Sequence, residues 1–417
     1  MSGHDALRID LDRLLGRLDA LAQVGAIEGG GVCRLALTDA DRAGRDLVTG
    51  WMRDLGLRVS IDAIGNVVGL RPGRREGAPV MTGSHIDTVR TGGRYDGNLG
   101  VMAGLEVVRT LNDAGIETDF PLAVAVFTNE EGARFAPDMM GSLVYVGGLP
   151  LAEALATVGI DGATVGDELA RIGYAGDAPC GSPAVRAPAV RAYVELHVEQ
   201  GPVLEAEGVT IGAVEGVQGI SWTEYTIRGV SNHAGTTPMR MRHDAGFAAG
   251  AIAAEVRRIA AEMGGDQVGT VGALTLEPNL INVVPHTAVL TVDLRNTDEE
   301  ALREAERRLA AFVAALAESE GVGIVARRLA RFEPVAFDPA MVAKVEALAQ
   351  RQGRSVRRMP SGAGHDAQML ARICPAGMIF VPSAGGVSHN VREFTATEDI
   401  RAGADLLLHL LLDLANG

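Results

Sequence analysis

One short stretch of the chain concentrates residue types that bind metal ions. His85 and Asp87 lie two positions apart, and Asp96 follows in a run rich in glycine. Further histidine and carboxylate side chains come later, namely Glu130, Glu131, His197 and His389. One Asp, one Glu and three His make a set of nitrogen and oxygen ligands without a thiolate. Such a set suits two borderline divalent ions bridged by a carboxylate, a hydrolytic arrangement rather than a structural zinc site.

The spacing within this stretch predicts how its side chains work together. Side chains two positions apart on a strand point to the same face, so Asp87 can accept the second N–H of His85 or otherwise order the ligand shell. Asp96 lies in a glycine-rich turn, where it is free to bridge two ions. Taken alone, Gly92-Gly93 and Asp96-Gly97 are typical of two ordinary turns.

The pair Glu130-Glu131 follows an apolar run, 122–127, that is typical of a buried strand. Adjacent side chains diverge, so one carboxylate can bind a metal ion while the other faces a water molecule. A carboxylate beside a metal-activated water can act as a general base. The alternative is a solvated acidic turn, but the following residues 132–135 are not typical of a surface loop.

Alternating strands and helices must position these side chains. Helical spacing of leucines predicts a helix over 5–22, and a second helix over 41–55 has Thr38 or Asp39 as its N-cap. Apolar runs predict strands at 58–61, 66–70, 79–83 and 122–127, with a helix starting near Gly100. This order indicates an α/β sheet buried on both faces, with the polar clusters at the carboxyl ends of strands, where such sheets build their sites.

A different pattern begins after a Gly/Pro/Ala-rich stretch over 174–188 and a strand that carries His197. The order from there is strand 222–228, helix 244–263, strands 269–276 and 288–293, helix 299–318 and a strand near 322–330. This β-α-β-β-α-β order predicts a split βαβ (ferredoxin-like) insert. The predicted domains are therefore a catalytic α/β domain over 1–213 and 331–417, interrupted by the insert over 214–330.

Composition excludes several classes of protein. The chain has 417 residues, which favours two domains, and a net charge of −15, which argues against nucleic acid and anionic membranes as partners. Its three cysteines are scattered, so a disulfide framework is not expected and a reducing compartment fits. The first ten residues lack the apolar core of a signal peptide, so we expect a cytoplasmic protein.

The metal-binding motifs together resemble a known group of enzymes. His85-Ile86-Asp87-Thr88-Val89 with Gly92–Gly97 and Glu130-Glu131-Gly132 resembles the aminoacylase/carboxypeptidase-type di-metal hydrolase superfamily. Four further motifs are similar to its carbamoylase/allantoate amidohydrolase branch, the hydantoinase/carbamoylase-type amidases: Glu195–Gly201, Asn232–Met239, Ser361–Ala367 and Gly386–Asn390. The resemblance covers essentially the whole chain, in order, and implies a di-metal exopeptidase-like catalytic domain whose insert is a lid and dimerisation domain.

The resemblance also implies roles for individual residues. Two divalent ions per subunit (zinc, manganese, cobalt or nickel) would be bound by His85, Asp96, Glu131, His197 and His389, with Asp96 bridging. Glu130 would be the general base, and Asp87 and His233 would complete the catalytic set. The substrate-binding residues would be Gln200, His233, Asn282, Arg295, Gly364 and His365. His233 would act in the partner subunit's site of a homodimer. Read without the resemblance, Arg295 would form a salt bridge with Asp293 or Asp298.

Members of this branch hydrolyse a ureido group next to a carboxylate. We therefore predict a metal-dependent amidohydrolase acting on a small-molecule ureido carboxylate, an N-carbamoyl-L-amino-acid hydrolase. Its products are the amino acid, ammonia and CO2. The close alternatives are allantoate amidohydrolase and β-ureidopropionase. An N-acyl-amino-acid deacylase or dipeptidase is more distant, and a non-catalytic scaffold that kept the fold is the alternative from another class.

Overall fold

The computed structural model describes residues 6–180 and 189–417 and forms two compact units. The first unit combines Met1–Glu215 with Ala336–Gly417, and the second is the intervening Gly216–Val335. The start of the predicted first helix, residue 5, and part of the predicted Gly/Pro/Ala-rich stretch, residues 181–188, lie outside the described residues.

Fifteen strands form within residues 6–180 and 189–417: β1 (Arg58–Ile61), β2 (Val67–Arg71), β3 (Val80–His85), β4 (Leu122–Phe127), β5 (Ala192–Val198), β6 (Ile211–Val217), β7 (Gly219–Arg228), β8 (Asn232–His233), β9 (Val268–Glu277), β10 (Val283–Val284), β11 (Thr287–Asn296), β12 (Gly323–Phe332), β13 (Val335–Ala336), β14 (Val356–Ser361) and β15 (Ala376–Val381).

Twelve α-helices form over the same described ranges: α1 (Leu11–Ala22), α2 (Asp39–Asp54), α3 (Asn98–Asp113), α4 (Met140–Tyr145), α5 (Leu151–Ala156), α6 (Val165–Ile172), α7 (Val203–Glu207), α8 (Ala245–Met263), α9 (Glu299–Glu320), α10 (Pro339–Arg351), α11 (Asp366–Leu370) and α12 (Thr397–Asn416). Thr38 is the N-cap of α2, and its side chain accepts the N–H of Asp41, one of the two caps predicted.

The first unit is built on one nine-stranded sheet. Its strand order is β1-β2-β4-β3-β5-β15-β6-β13, and β14 also pairs with β6. The neighbours β4, β3, β5 and β15 run parallel, and every residue of these four strands is buried. Parallel strands buried on both faces are the pattern that the apolar runs predict, so the α/β fold class is confirmed.

Two helices of the first unit are buried along most of their length. α3 packs on β3, β4 and β5, and α12 packs on β3, β5 and β15. Consecutive residues are buried in each helix, 98–108 in α3 and 402–412 in α12, which is typical of a helix in the centre of a domain. α3 begins at Asn98, with Gly97 between it and Asp96 as the N-cap, so the packing of this helix fixes one end of the predicted metal-binding turn.

The second unit is the predicted split βαβ fold. Its antiparallel sheet has the order β12-β7-β11-β9, and the chain order of its main elements is β7-α8-β9-β11-α9-β12. α8 and α9 pack against the sheet and each other around a core that includes Ile227, Ile252, Leu290 and Leu309. The short strands β8 and β10 form a separate antiparallel pair that the sequence patterns did not predict.

None of the helices in the described part of the chain combines the length and the apolar character that crossing a bilayer requires.

Candidate metal centre

Parallel strands deliver the first candidate ligands to one edge of the sheet. β3 ends at His85, which is paired in register with Phe127 at the end of β4, and Glu130 and Glu131 follow a few residues later. His197 lies near the end of β5. Because the carboxyl ends of parallel neighbours meet at the same edge, residues far apart in sequence converge there. The strand β3 runs two residues beyond its predicted end, so His85 belongs to the strand itself.

The first ligand cluster consists of His85, Asp96 and His197. The Oδ1 atom of Asp96 lies 3.7 Å from His85 Nε2 and 3.2 Å from His197 Nε2, and all three side chains are buried. Ligand atoms around an ion with bonds of about 2.1 Å are separated by roughly 3–3.5 Å. The cluster therefore has the dimensions of a coordination shell.

A second cluster shares the same aspartate. The Oδ2 atom of Asp96 lies 3.4 Å from His389 Nε2, which in turn lies 3.2 Å from Glu131 Oε2. The two oxygens of one carboxylate thus face two different groups of ligands. A carboxylate placed between two groups of candidate ligands in this way is able to bridge two metal ions.

Backbone carbonyls fix the orientation of two of the histidine rings. His85 donates Nδ1–H to the carbonyl oxygen of Asp87 at 2.9 Å, and His197 donates Nδ1–H to the carbonyl oxygen of Val198 at 2.8 Å. Each ring then presents its Nε2 atom to the carboxylate of Asp96. A second hydrogen bond of this kind is what usually orients a metal-binding histidine.

Asp87 orders the residues around the candidate ligands and does not accept the second N–H of His85. Its carboxylate lies 3.9 Å from His85 Nδ1, beyond hydrogen-bond distance. Instead it accepts the backbone N–H groups of Glu130 at 3.2 Å and Glu131 at 3.3 Å. The carboxylate of Asp87 therefore holds the backbone of Glu130 and Glu131, while the carbonyl oxygen of Asp87 holds the ring of His85.

The charges at the centre fit divalent cations. Burial raises the pKa of Glu130 and of Glu131 well above the usual range of a glutamate. Burial would also raise the pKa of Asp96, but hydrogen bonds with His197 and His389 outweigh it and hold that pKa well below its usual range. Buried carboxylates are costly unless protons or positive charges neutralise them. Bound divalent cations can neutralise them in place of protons. The residues present thus fit two divalent ions.

Three residues at the centre have left-handed backbone conformations that residues other than glycine rarely adopt. The φ angles are 55° at Asn129, 58° at Gln200 and 52° at His389. Asn129 precedes Glu130 and is held by side-chain hydrogen bonds to the carbonyl oxygens of Phe135 and Pro137. Strain of this kind is concentrated at functional sites, where surrounding contacts impose it.

Glycine is required where α3 begins beside the first cluster. Gly97 has a φ of 65°, and a Cβ at this position would lie 2.4 Å from His85 Nε2. A side chain here would therefore displace the ligand ring. The sequence predicts Gly97 only as part of a turn, and the structure shows that it also leaves room for the His85 ring.

Several predicted substrate-binding residues lie beside the ligands in the first unit. Gln200 donates its side-chain amide to Asp96 Oδ2 at 2.9 Å. His365 is fully buried, with its ring 4.5 Å from the ring of His197, and its Nε2 lies 2.8 Å from Ser361 Oγ. At Gly364 a Cβ would lie 2.8 Å from Met139 Cε.

Sequence reasoning missed Glu195, which lies against His197 and His365. Its carboxylate accepts Ser84 Oγ–H at 2.7 Å and the N–H of Ala367 at 2.9 Å. Because its oxygens are already used by donors of the protein, we interpret this group as structural rather than as a third metal site. A glutamate in the middle of an apolar strand was the signal available in the sequence.

Arg34 was also missed, although its side chain is completely buried beside the centre. The guanidinium donates to the carbonyl oxygens of Leu21, Val24 and Ile86 and to Asn98 Oδ1. It thereby connects the backbone next to His85 with the first residue of α3. An arginine between apolar residues gave no pattern from which these partners could be predicted.

The remaining predicted substrate-binding residues lie in the second unit. His233 is paired with Val283, and the N–H of Ala234 donates to the carbonyl oxygen of Asn282 at 2.9 Å, so His233 and Asn282 are neighbours. Arg295 lies on β11 and its guanidinium contacts the carboxylate of Asp293, with Nη2 and Oδ2 2.9 Å apart. This is one of the two salt bridges expected for Arg295 without the resemblance.

Comparison with known proteins gives the class of the molecule. Residues 81–413 match the model of peptidase family M20/M25/M40, and the chain belongs to this family. An N-carbamoyl-L-amino-acid amidohydrolase of Rhizobium meliloti is 44% identical, over 98% of this chain and 97% of that protein. One of Geobacillus stearothermophilus is 41% identical, over 97% and 99%.

Solved structures place the chain more closely within the family. A hydantoinase/carbamoylase family amidase from Burkholderia multivorans has 46% sequence identity and a TM-score of 0.95, with 99% of each chain covered. The predicted resemblance to the hydantoinase/carbamoylase-type amidases is therefore confirmed.

The shared position of Asp96 predicts different results for two ligand substitutions. We expect Asp96→Ala to abolish binding of both ions, because both clusters lose their common ligand. His389→Ala should retain about one ion per chain, because the cluster of His85, Asp96 and His197 stays complete. Metal content after equilibration with Mn²⁺ and gel filtration would measure this. Equal loss in the two variants would contradict the bridging arrangement.

Proposed function

We propose that the protein is a metal-dependent amidohydrolase that cleaves the carbamoyl C–N bond of N-carbamoyl-L-amino acids. The products are the amino acid, ammonia and CO2. The observation that carries the proposal is the shared Asp96 carboxylate, with one histidine-containing cluster on each oxygen and Glu130 beside them. The names of the relatives that cover nearly the whole chain support the same reaction.

We assign two divalent ions per subunit to the two clusters, with Asp96 as their bridge. His85 and His197 would complete one site, and Glu131 and His389 the other. When bound, such ions lower the pKa of water and polarise the carbonyl group of a substrate. Zinc, manganese, cobalt and nickel all accept this set of nitrogen and oxygen ligands.

Glu130 is proposed as the general base and proton carrier. Its Oε2 atom lies 3.3 Å from His85 Nε2, and the side chain is buried. It is thus next to the ligands, while Asp87 holds the backbone of Glu130 in place. A carboxylate in this position can take a proton from the attacking water and give it to the leaving nitrogen.

Substrate-binding roles are proposed for six residues. Gln200, Gly364 and His365 would line the pocket beside the ligands. In the second unit, Asn282 and Arg295 would bind the carboxylate of the substrate, and His233 would stabilise the developing oxyanion. Gly235 donates its N–H to His233 Nδ1 at 3.1 Å, which leaves Nε2–H of the neutral ring as the hydrogen-bond donor that this role requires.

We further propose that residues 214–330 are a lid and dimerisation domain, and that His233 acts in the site of the partner subunit. A cytoplasmic location is proposed as well, consistent with the free cysteines Cys33, Cys180 and Cys374, and cell fractionation would test it.

Subunit complementation tests the action of His233 in the partner's site. His233→Ala and Glu130→Gln homodimers should each be inactive. After mixing and exchange of subunits, about a quarter of the wild-type activity should return, since half of the dimers are mixed and each contains one complete site. If tagged heterodimers form but remain inactive, His233 does not act in the partner's site.

Substitution of Glu130 tests the general base. We expect Glu130→Gln to bind metal like the wild type and to lower kcat by about 10²- to 10⁴-fold, because the amide cannot accept the proton. Metal content and steady-state ammonia release would be measured on the same preparations. A variant that keeps most of its activity would show that the base assignment is wrong.

A substrate panel tests the reaction itself. The manganese- or zinc-loaded protein would be assayed for ammonia release from N-carbamoyl-L-methionine, its D-isomer, allantoate and β-ureidopropionate, and for amine release from N-acetyl-L-methionine. We expect the L-carbamoyl compound to be preferred. Preference for allantoate or β-ureidopropionate would support the same hydrolytic chemistry with a different substrate.

Failure on every ureido compound would reject the carbamoylase proposal. Turnover of the acetyl compound would then favour a deacylase. A protein without activity that also purifies with little bound metal would favour the non-catalytic scaffold.

A further inference from the structure

Glu393 is a buried carboxylate that lies next to the metal centre but is not one of the proposed ligands. Its side chain is among the buried polar groups of the first unit, at 4% exposure. The Oε1 atom accepts two backbone N–H groups, from Tyr95 at 2.9 Å and from Asp96 at 3.1 Å. One carboxylate oxygen thus holds the backbone of the bridging ligand.

The same turn that carries Glu393 also carries His389. Within it, the N–H of Glu393 donates to the carbonyl oxygen of Asn390 at 3.0 Å, and the N–H of Arg392 donates to Asn390 Oδ1 at 3.0 Å. Thr91 Oγ1 donates to the carbonyl oxygen of His389 at 3.3 Å. A short, internally bonded turn therefore has a ligand at one end and the carboxylate that holds Asp96 at the other.

Glycine allows the two segments to approach this closely. A Cβ at Gly93 would lie 2.2 Å from Glu393 Oε1, and one at Gly31 would lie 2.5 Å from Cγ1 of Val391. Any side chain at Gly93 would push the carboxylate away from the backbone of Asp96. The contact thus depends on the carboxylate of Glu393 in one segment and on the absence of a side chain at Gly93 in the other.

The other oxygen of Glu393 marks the position as unusual. Its Oε2 atom is buried and has no hydrogen-bond partner among the described residues. Burying a carboxylate with one oxygen unpaired costs free energy, which nearby cations offset. A residue that served packing alone would be less costly as an apolar side chain of similar volume.

We propose that Glu393 is a positioning residue that holds Asp96 and His389 at the separation at which both can bind one ion. This inference rests on the metal centre of the proposed function. Glu393 acts through the backbone of Asp96 and through its own turn, without coordinating either ion.

Titration of the metal-free protein with Mn²⁺ tests the proposal without measuring turnover. Free Mn²⁺ would be followed by electron paramagnetic resonance for the wild type and for Glu393→Ala, Glu393→Gln, Gly93→Ala and His389→Ala. Glu28→Ala, an exposed glutamate, and Gly50→Ala, a helical glycine with open space around it, are the matched controls. Thermal unfolding of each metal-free protein would show whether it is folded.

We expect Glu393→Ala and Gly93→Ala to weaken the binding of one of the two ions by about 10- to 100-fold. That ion should be the one whose binding is lost in His389→Ala. Glu393→Gln should stay within about threefold of the wild type, since its amide oxygen can accept the same two N–H groups. The control variants should bind both ions like the wild type.

The inference is overturned if Glu393→Ala binds both ions as the wild type does, or weakens both equally, as a general loss of stability would. If Glu393→Ala does not fold, Gly93→Ala decides, because it keeps the glutamate and removes only the contact. A wild-type protein that binds no Mn²⁺ would overturn the metal centre itself, and the proposed function with it. That result is distinct from two ions bound with no dependence on Glu393.

Discussion

The sharing of one carboxylate among three histidines is the interaction on which the rest of the site depends. Asp96 faces His85 and His197 with one oxygen and His389 with the other, at 3.2–3.7 Å. Burying a carboxylate costs free energy unless partners of suitable geometry pair with it, so Asp96 has to be held in position relative to these histidines. Much of the surrounding structure serves that purpose. The helix α3 begins directly after the turn, Gly97 leaves room for the His85 ring, and Arg34 connects the backbone at Ile86 with Asn98.

The candidate ligands come from elements of different kinds, and this division has a physical basis. His85 and His197 lie on central parallel strands, where His85 is paired with Phe127 of β4 and His197 with Phe380 of β15. Glu131 and His389 lie in loops whose conformations include left-handed residues, Asn129 and His389. The strands thus place the two histidines of the first cluster, while contacts within loops place the other candidate ligands. Asp87 supplies such a contact for the glutamate pair.

The sequence predicted the fold class and named the residues that the centre brings together, because strand ends leave a readable pattern. His85 follows an apolar run, Glu131 follows another, and the edge of a parallel sheet collects both. The same reasoning could not find partners joined only by the folded chain. Glu393 holds a backbone nearly three hundred residues earlier, Glu195 bonds Ser84 across the sheet, and Arg34 binds carbonyl oxygens that carry no sequence signature. The pair of Arg295 and Asp293, in contrast, can be predicted from the sequence, because side chains two positions apart on one strand lie on the same face.

The strand β15 has a consequence for how the molecule is made. It lies between β5 and β6 in the middle of the sheet, yet the whole second unit separates it in sequence from both. During synthesis, β5 and β6 therefore each emerge with one edge unpaired in the centre of their sheet, and these edges stay open until residues 376–381 have been translated. Because His389 follows β15, the second cluster is completed only at that late stage. A product truncated before β15 would therefore lack both the central strand and the candidate ligand that follows it.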